Sequence, residues 1–206
     1  MAFCFKSVKM KFTVTIADES HVKYAEEICK EMESSAKVRG TGISKRSPAY
    51  LEAKMREGKA VIALDEEARF AGFSYIESWG HSKFVANSGL IVRPEYRKSG
   101  LARRIKHAIF ELSRKKFPDA KIFGITTSAA VMKINNELGY RPVTFGELTD
   151  DETYWQGCAS CCNYDILLRN NKTKCLCTGM LYDPAEHRAF GHLKKSISKF
   201  FHPSKD

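Results

Sequence analysis

One stretch, LIVRPEYRKSGLARRIKHAIF from Leu90 to Phe110, constrains the fold more than any other. An apolar strand-like run, Leu90-Ile91-Val92, passes through a turn holding Arg97, Lys98, Ser99 and Gly100 and opens directly into a helical repeat. Leu101, Ile105, Ala108, Ile109 and Leu112 fall on one face of a helix reaching about Lys116, and the basic residues mostly lie elsewhere. A strand that feeds a glycine-containing turn and then a helix makes an anion site, because the first helical amides have no partners inside the helix and the dipole favours negative charge there. Gly100 lets a ligand approach the backbone closely, and Ala102 keeps the next position small. A pyrophosphate fits such a place. Nine basic residues between Arg93 and Lys116 face only two acids, Glu95 and Glu111, so this segment holds most of the chain's formal charge of +10.

The flanking segments predict what the stretch is embedded in. Lys11–Ala17 alternates as a strand, and Val22, Ala25, Ile28, Cys29 and Met32 follow at helical spacing behind a cap at Asp18 or Ser20. Pro48 and Gly58 bracket a short helix. KAVIALD, RFAGFSYIESW and KFVANSGLIV form an antiparallel meander of three strands. After the central helix come a strand (PDAKIFGITT), a helix (AAVMKINNEL), a strand (GYRPVTF) and a last strand (CNYDILLR). The unit from Lys83 to Thr126 is long enough for a right-handed crossover. The expected fold is mixed α/β (α+β): a mostly antiparallel sheet flanked by helices over residues 11–169. A cysteine-containing extension follows over 170–206, and in it Phe190, Leu193, Ile197 and Phe200 line a basic amphipathic helix.

With 206 residues and 43% hydrophobic content the chain can bury one sizeable core. No run is long enough for a membrane span, and the apolar stretch at the start is too short for a signal peptide. Seven cysteines cannot all pair within one chain, so a reducing, cytoplasmic setting is expected. Met10, just before the first strand, is an alternative start.

The pattern Arg97-x-x-Gly100-x-Ala102 after LIVRPEY resembles the pyrophosphate-binding motif of the GCN5-related N-acetyltransferases, and the element order is similar to theirs over roughly Lys11 to Arg169. The resemblance implies an acyltransferase that uses acetyl-coenzyme A, or a related acyl donor. Backbone groups of Ile91 and Val92 would pair with the pantetheine arm, and amides of Lys98, Ser99, Gly100, Leu101 and Ala102, beside Arg97, would hold the pyrophosphate. The amide of Leu90 would meet the thioester oxygen. Two further segments, RGTGISKRSPAYLEAKM and FGITTSAAVMKINNELGYRPVTF, are similar to parts of the acyltransferase domain of N-acetylglutamate synthases. That implies an amino-acid acceptor with a free α-amine and an acidic side chain, in an arginine-biosynthesis setting. Arg46 is the first candidate for its carboxylates, with Lys45 and Arg93 as seconds. Protein lysines or other small amines remain the alternative acceptors.

Amide formation also needs a base and an acid. Glu77, late in its strand, is the candidate base; an outward-facing strand residue is the plainer role for it, and Asn87 and Ser88 could instead position a water. Many family members place a tyrosine four residues before the glycine that follows this later helix, where it protonates the leaving thiolate. Here Asn135 stands at that distance from Gly139, and an amide is no acid. Cys158 and Cys161, with Cys175 and Cys177, invite a zinc reading. If NYDILLR and KCLCTGML are two arms of a hairpin, however, Cys175 lies roughly 20 Å from Cys161, and no single metal site is expected. Buried thiols or a redox-sensitive Cys161–Cys162 pair are the alternatives. A rival function, nucleic-acid binding by the basic surface, lacks an aromatic stacking platform. Membrane attachment through the tail is disfavoured by its short length; the tail is expected to dock on the domain itself or on a second subunit, which would make a homodimer.

Overall fold

The computed structural model describes residues 10–40 and 45–188. Strand β1 (Thr13–Ile16) leads through a 3-10 turn at Glu19–Tyr24 into helix α1 (Ala25–Arg39), then α2 (Pro48–Arg56). Strands β2 (Ala60–Leu64), β3 (Phe70–Trp79) and β4 (Phe84–Val92) follow, and a 3-10 turn at Pro94–Tyr96 precedes α3 (Leu101–Lys116). The rest is β5 (Lys121–Thr126), α4 (Ala129–Glu137), β6 (Arg141–Val143), α5 (Glu152–Gln156), α6 (Tyr164–Arg169) and β7 (Thr178–Tyr182).

The seven strands form one sheet in the order β1-β2-β3-β4-β5-β7-β6, antiparallel throughout except where β4 meets β5. The expected class, a mostly antiparallel sheet with helices on its faces, is therefore the observed one. Period-two alternation places the core on both faces. Val61 and Ala63 of β2 pack with Ile105 and Ile109 of α3 on one side, whereas Ala60 and Ile62 pack with Ile28 of α1 and Leu51 of α2 on the other.

Three expectations need correcting. The helix expected from Ser20 begins as a tight 3-10 turn, because the Asp18 carboxylate accepts from the Ser20 amide at 2.9 Å and pairs with His21; α1 proper starts at Ala25. NYDILLR is not a strand. Tyr164–Arg169 is helix α6, with Leu167 buried beneath Trp155 and Phe145. The last strand is instead Thr178–Tyr182, inserted between β5 and β6, so the sheet itself draws on the stretch beyond residue 169. The tail helix expected around Phe190 to Phe200 lies outside the described residues.

The feature that positions the site is a wedge. Strands β4 and β5 pair only at Phe84–Lys121, Val85–Ile122 and Ala86–Phe123. From Asn87 onward β4 has no strand partner on that edge among the described residues, while β5 continues against β7. A bulge sits at the same place. Tyr75 pairs with Ser88 but Phe73 with Ile91, so β4 carries an extra residue, and Gly89 adopts φ +63° to admit it.

Candidate active site

A cavity of about 620 Å³ opens at the wedge. One wall is Lys45, Arg46 and Tyr50 from the start of α2. The floor is Glu77 of β3 with Asn87, Ser88 and Leu90 of β4, and Asn135 of α4 closes one side. The opposite wall is the segment from Thr153 to Cys177, including Tyr154, Tyr164 and all four cysteines of the C-x-x-C and C-x-C pairs.

Glu77 anchors a polar network here rather than facing outward. Its side chain is only 6% exposed. One carboxylate oxygen accepts from the Tyr50 hydroxyl and from Arg46 Nη2 at 3.3 Å; the other accepts from Ser88 Oγ at 2.7 Å. Arg46 Nε donates to the Tyr75 hydroxyl at 2.8 Å, and its guanidinium lies 5.3 Å from the centre of the Tyr50 ring. Burial pushes both phenols well above their ordinary range, and the Glu77 charge adds to it. For Arg46 burial works against the charge, but Tyr75 and Glu77 more than offset it and the pKa is raised. Glu77 is the only carboxylate among the described residues lining the cavity, which also holds Lys45, Arg46 and Lys106.

A second network lies on the α3 side. Asn87 Nδ2 donates to Ser113 Oγ at 2.7 Å, and Asn87 Oδ1 accepts from the Tyr140 hydroxyl at 3.0 Å and from Lys106 Nζ at 3.4 Å. Two polar atoms of the wall, Trp79 Nε1 and Asn135 Oδ1, are buried without a partner among the described residues. In a folded protein such atoms are few and mark places where a ligand can complete the bonding.

The sequence-expected residues separate into three groups. Arg46, Lys45, Glu77, Leu90 and Asn135 come together in the cavity. Ile91, Val92 and the turn Arg97–Ala102 do not line it. They continue outward along β4 to the N-terminus of α3, where Gly100 caps the helix at φ +83° with open space before it. Arg97 turns back to Ser35 Oγ at 3.0 Å and the Val92 carbonyl at 3.2 Å. Arg93 is not brought to the cavity, because it is held by Glu27 at 2.6 Å and Glu95 at 2.8 Å on the α1 side.

The cysteine geometry expected from a hairpin is also overturned. Because α6 turns the chain back, Asn163 touches both pairs: its amide donates to Cys161 Sγ at 3.4 Å, and Cys175 Sγ donates to its carbonyl at 3.8 Å. Burial and the neighbouring cysteines push the Cys158 thiol up to about 11 and the Cys177 thiol up to about 12. Among the described residues no three His, Cys, Asp or Glu side chains are arranged to hold a metal ion. Tyr50, Tyr75, Trp79 and Lys106 were not legible as site residues. Tyr50 had one signal, its place three residues after the Ser47 that caps α2.

No protein-family model and no curated protein matches the sequence. Solved structures do match in fold, and the fold is the one shared by acetyltransferases of the GNAT family. An N-acetylglutamate synthase from Neisseria gonorrhoeae, complexed with coenzyme A and N-acetyl-glutamate, superposes with a TM-score of 0.60 at 15% identity over 84% of this chain. The match covers 35% of the synthase, so this chain spans about a third of that protein. A Mycobacterium tuberculosis protein in complex with coenzyme A and a second ligand gives 0.59 at 14% identity, covering 83% of this chain and 98% of the other. A GNAT-family acetyltransferase from Staphylococcus aureus gives 0.56 at 14% identity, covering 68% and 90%. Among the described residues no helix is long and apolar enough to cross a membrane.

Proposed function

We propose that the protein transfers an acetyl or related acyl group from coenzyme A to the amine of a small anionic acceptor, an amino acid such as glutamate. The observation that carries this reading is the Arg46–Glu77 pair, buried in a cavity at the mouth of a strand wedge. The edge of β4 beyond Ala86, where no rung to β5 remains, offers backbone groups to an extended pantetheine arm, as an added strand would use them, up to the Val92 carbonyl that Arg97 holds. It leads straight to the first turn of α3, where the Leu101 amide reaches only Ser99 Oγ, at 3.4 Å, and the helix N-terminus suits a pyrophosphate. The acceptor end has the complementary chemistry: two cationic side chains, Lys45 and Arg46, and one carboxylate, Glu77, line it. A carboxylate of the acceptor meets Arg46, whose planar donors suit it, while its amine meets Glu77, which takes the proton that must leave before nitrogen attacks the thioester carbon.

An amino-acid panel with acetyl-coenzyme A and a free-thiol readout tests the reading. Thiol release with glutamate or aspartate, and none with lysine-bearing peptides, is the expected result. Absence of coenzyme A binding by calorimetry would overturn the function altogether. Arg46→Ala is expected to raise the acceptor KM by 10-fold or more, roughly the 1.5–3 kcal/mol of a charge-assisted hydrogen bond, and to leave the coenzyme A KM unchanged. Equal shifts in both would remove Arg46 from the acceptor site.

A further inference from the structure

An acyltransferase needs an acid for its leaving thiolate, and position 135 supplies only an amide. The wall of the same wedge holds a group that fits. Lys106, at the second turn of α3, is 3% exposed, yet its side chain lines the cavity. It is poorly neutralised. Among the described residues its one hydrogen bond is the 3.4 Å contact to Asn87 Oδ1, and its ammonium lies 5.1 Å from the centre of the Tyr140 ring. Among the described residues no carboxylate forms an ion pair with it. Asn87 is the first residue of β4 beyond the last rung shared with β5, so Lys106 Nζ stands where the wedge begins.

We infer that Lys106 is the acid that protonates the departing sulfur of the acyl donor. The inference rests on the acyltransferase reading and deepens it. In the step, the amine nitrogen bonds to the thioester carbon and the carbon–sulfur bond breaks. The sulfur takes a proton from Lys106 Nζ, which keeps the electron pair and becomes neutral. Glu77 passes the ammonium's first proton to water before the attack and takes the second as the carbon–nitrogen bond forms, and exchange with water then restores both Glu77 and Lys106. Burial supports the role, since with no partner charge to offset it desolvation lowers the Lys106 pKa to about 7. Among the described residues the groups facing it from neighbouring elements are Asn87 on β4 and Tyr140 before β6, and burial holds that phenol well above its ordinary range. Of these three groups Lys106 is the one whose charge changes around neutral pH. An unpaired buried lysine also opposes folding, which marks it as kept for something other than stability.

Lys106→Met keeps the length of the side chain and removes the proton. The variant should fold with a Tm at or above that of the wild type, bind coenzyme A with unchanged affinity by calorimetry, and lose 10²–10⁴-fold in kcat, the usual range for general acid catalysis. The discriminating measurement compares acetyl-coenzyme A with an acetyl thioester of an acidic aryl thiol, which leaves without a proton. The loss should shrink at least 10-fold with the aryl donor. Equal losses with the two donors, or weakened coenzyme A binding, would overturn the assignment. Should Lys106→Met fail to fold, the wild-type pH–kcat profile decides. Activity should fall as pH rises through about 7 with acetyl-coenzyme A and not with the aryl donor, and identical alkaline limbs would remove Lys106. Wild-type protein that neither binds coenzyme A nor releases thiol with any amine sinks the acyltransferase reading itself. Wild-type turnover with an unimpaired Lys106→Met sinks only this inference.

Discussion

Two glycines at positive φ lie along β4 and its exit, and they should respond differently to the same change. At Gly89, φ +63°, a Cβ would sit 2.4 Å from the Tyr75 ring and 2.8 Å from Met32 Cε. At Gly100, φ +83°, it would meet nothing within 4 Å. Gly100→Ala therefore carries only the left-handed backbone penalty of about 1–2 kcal/mol. Gly89→Ala adds an overpacking term of about 1–3 kcal/mol and displaces Tyr75, which holds Arg46. Urea unfolding should show the larger loss for Gly89→Ala, and acceptor affinity should drop in that variant alone. Equal losses would mean the bulge relaxes freely. Gly100 was legible in the sequence because it breaks a strand-to-helix pattern. Gly89 was not, since a glycine inside a strand looks like any other strand position until its partner's register is known.

At the scale of elements, the β2–β3 turn is tied to the turn before α3. The Asp65 carboxylate accepts from the Tyr96 hydroxyl at 2.6 Å, from the Arg69 amide at 2.9 Å and from Arg69 Nε at 2.7 Å. Burial pushes its pKa up, but these bonds outweigh it and hold the group well below the usual carboxylate range. A folded-state value below the unfolded one gives stability that is present above pH ~4 and lost as pH falls toward the folded value. Asp65→Asn should lower stability at pH 7 by about 1–3 kcal/mol, as expected for hydrogen bonds to a charge. The gap to wild type should narrow in urea midpoints measured from pH 5 down to 2.5, and a constant gap would show that the charge contributes nothing. The meander, α3 and α4 were legible because each repeats its apolar period over a long enough span. The segment from Gly157 to Cys177 was not: seven residues of NYDILLR satisfy a helix and a strand equally well. Reading it as a strand is what moved the cysteines apart.

Across the whole molecule, three rungs between β4 and β5 join a four-strand half, β1 to β4, to a three-strand half made of β5, β7 and β6. The stretch proposed to hold the coenzyme was legible as a strand, turn and helix because it is continuous in the chain. At the proposed acceptor end Arg46, Lys45 and Glu77 were legible one by one, but their partners Tyr50 and Tyr75 were not, because that end is assembled from α2, β3, β4, α4 and the stretch around α5 and α6, which only the fold brings together. A ligand lying in the wedge should act on the seam between the halves. Coenzyme A at 100 times its Kd would stabilise the fold by about 2.7 kcal/mol if it binds only the native state. The location of that gain is the sharper test. Hydrogen exchange should slow at the amides of Asn87–Val92 and of Ser99–Arg103, which the ligand would cover. The β2–β3 rungs from Ala60–Tyr75 to Ile62–Phe73 are already paired strand to strand, so they should gain only the global stabilisation. Local protection confined to α1 and α2 would place the diphosphate on the other face of the sheet, and the wedge would then be a seam without a ligand.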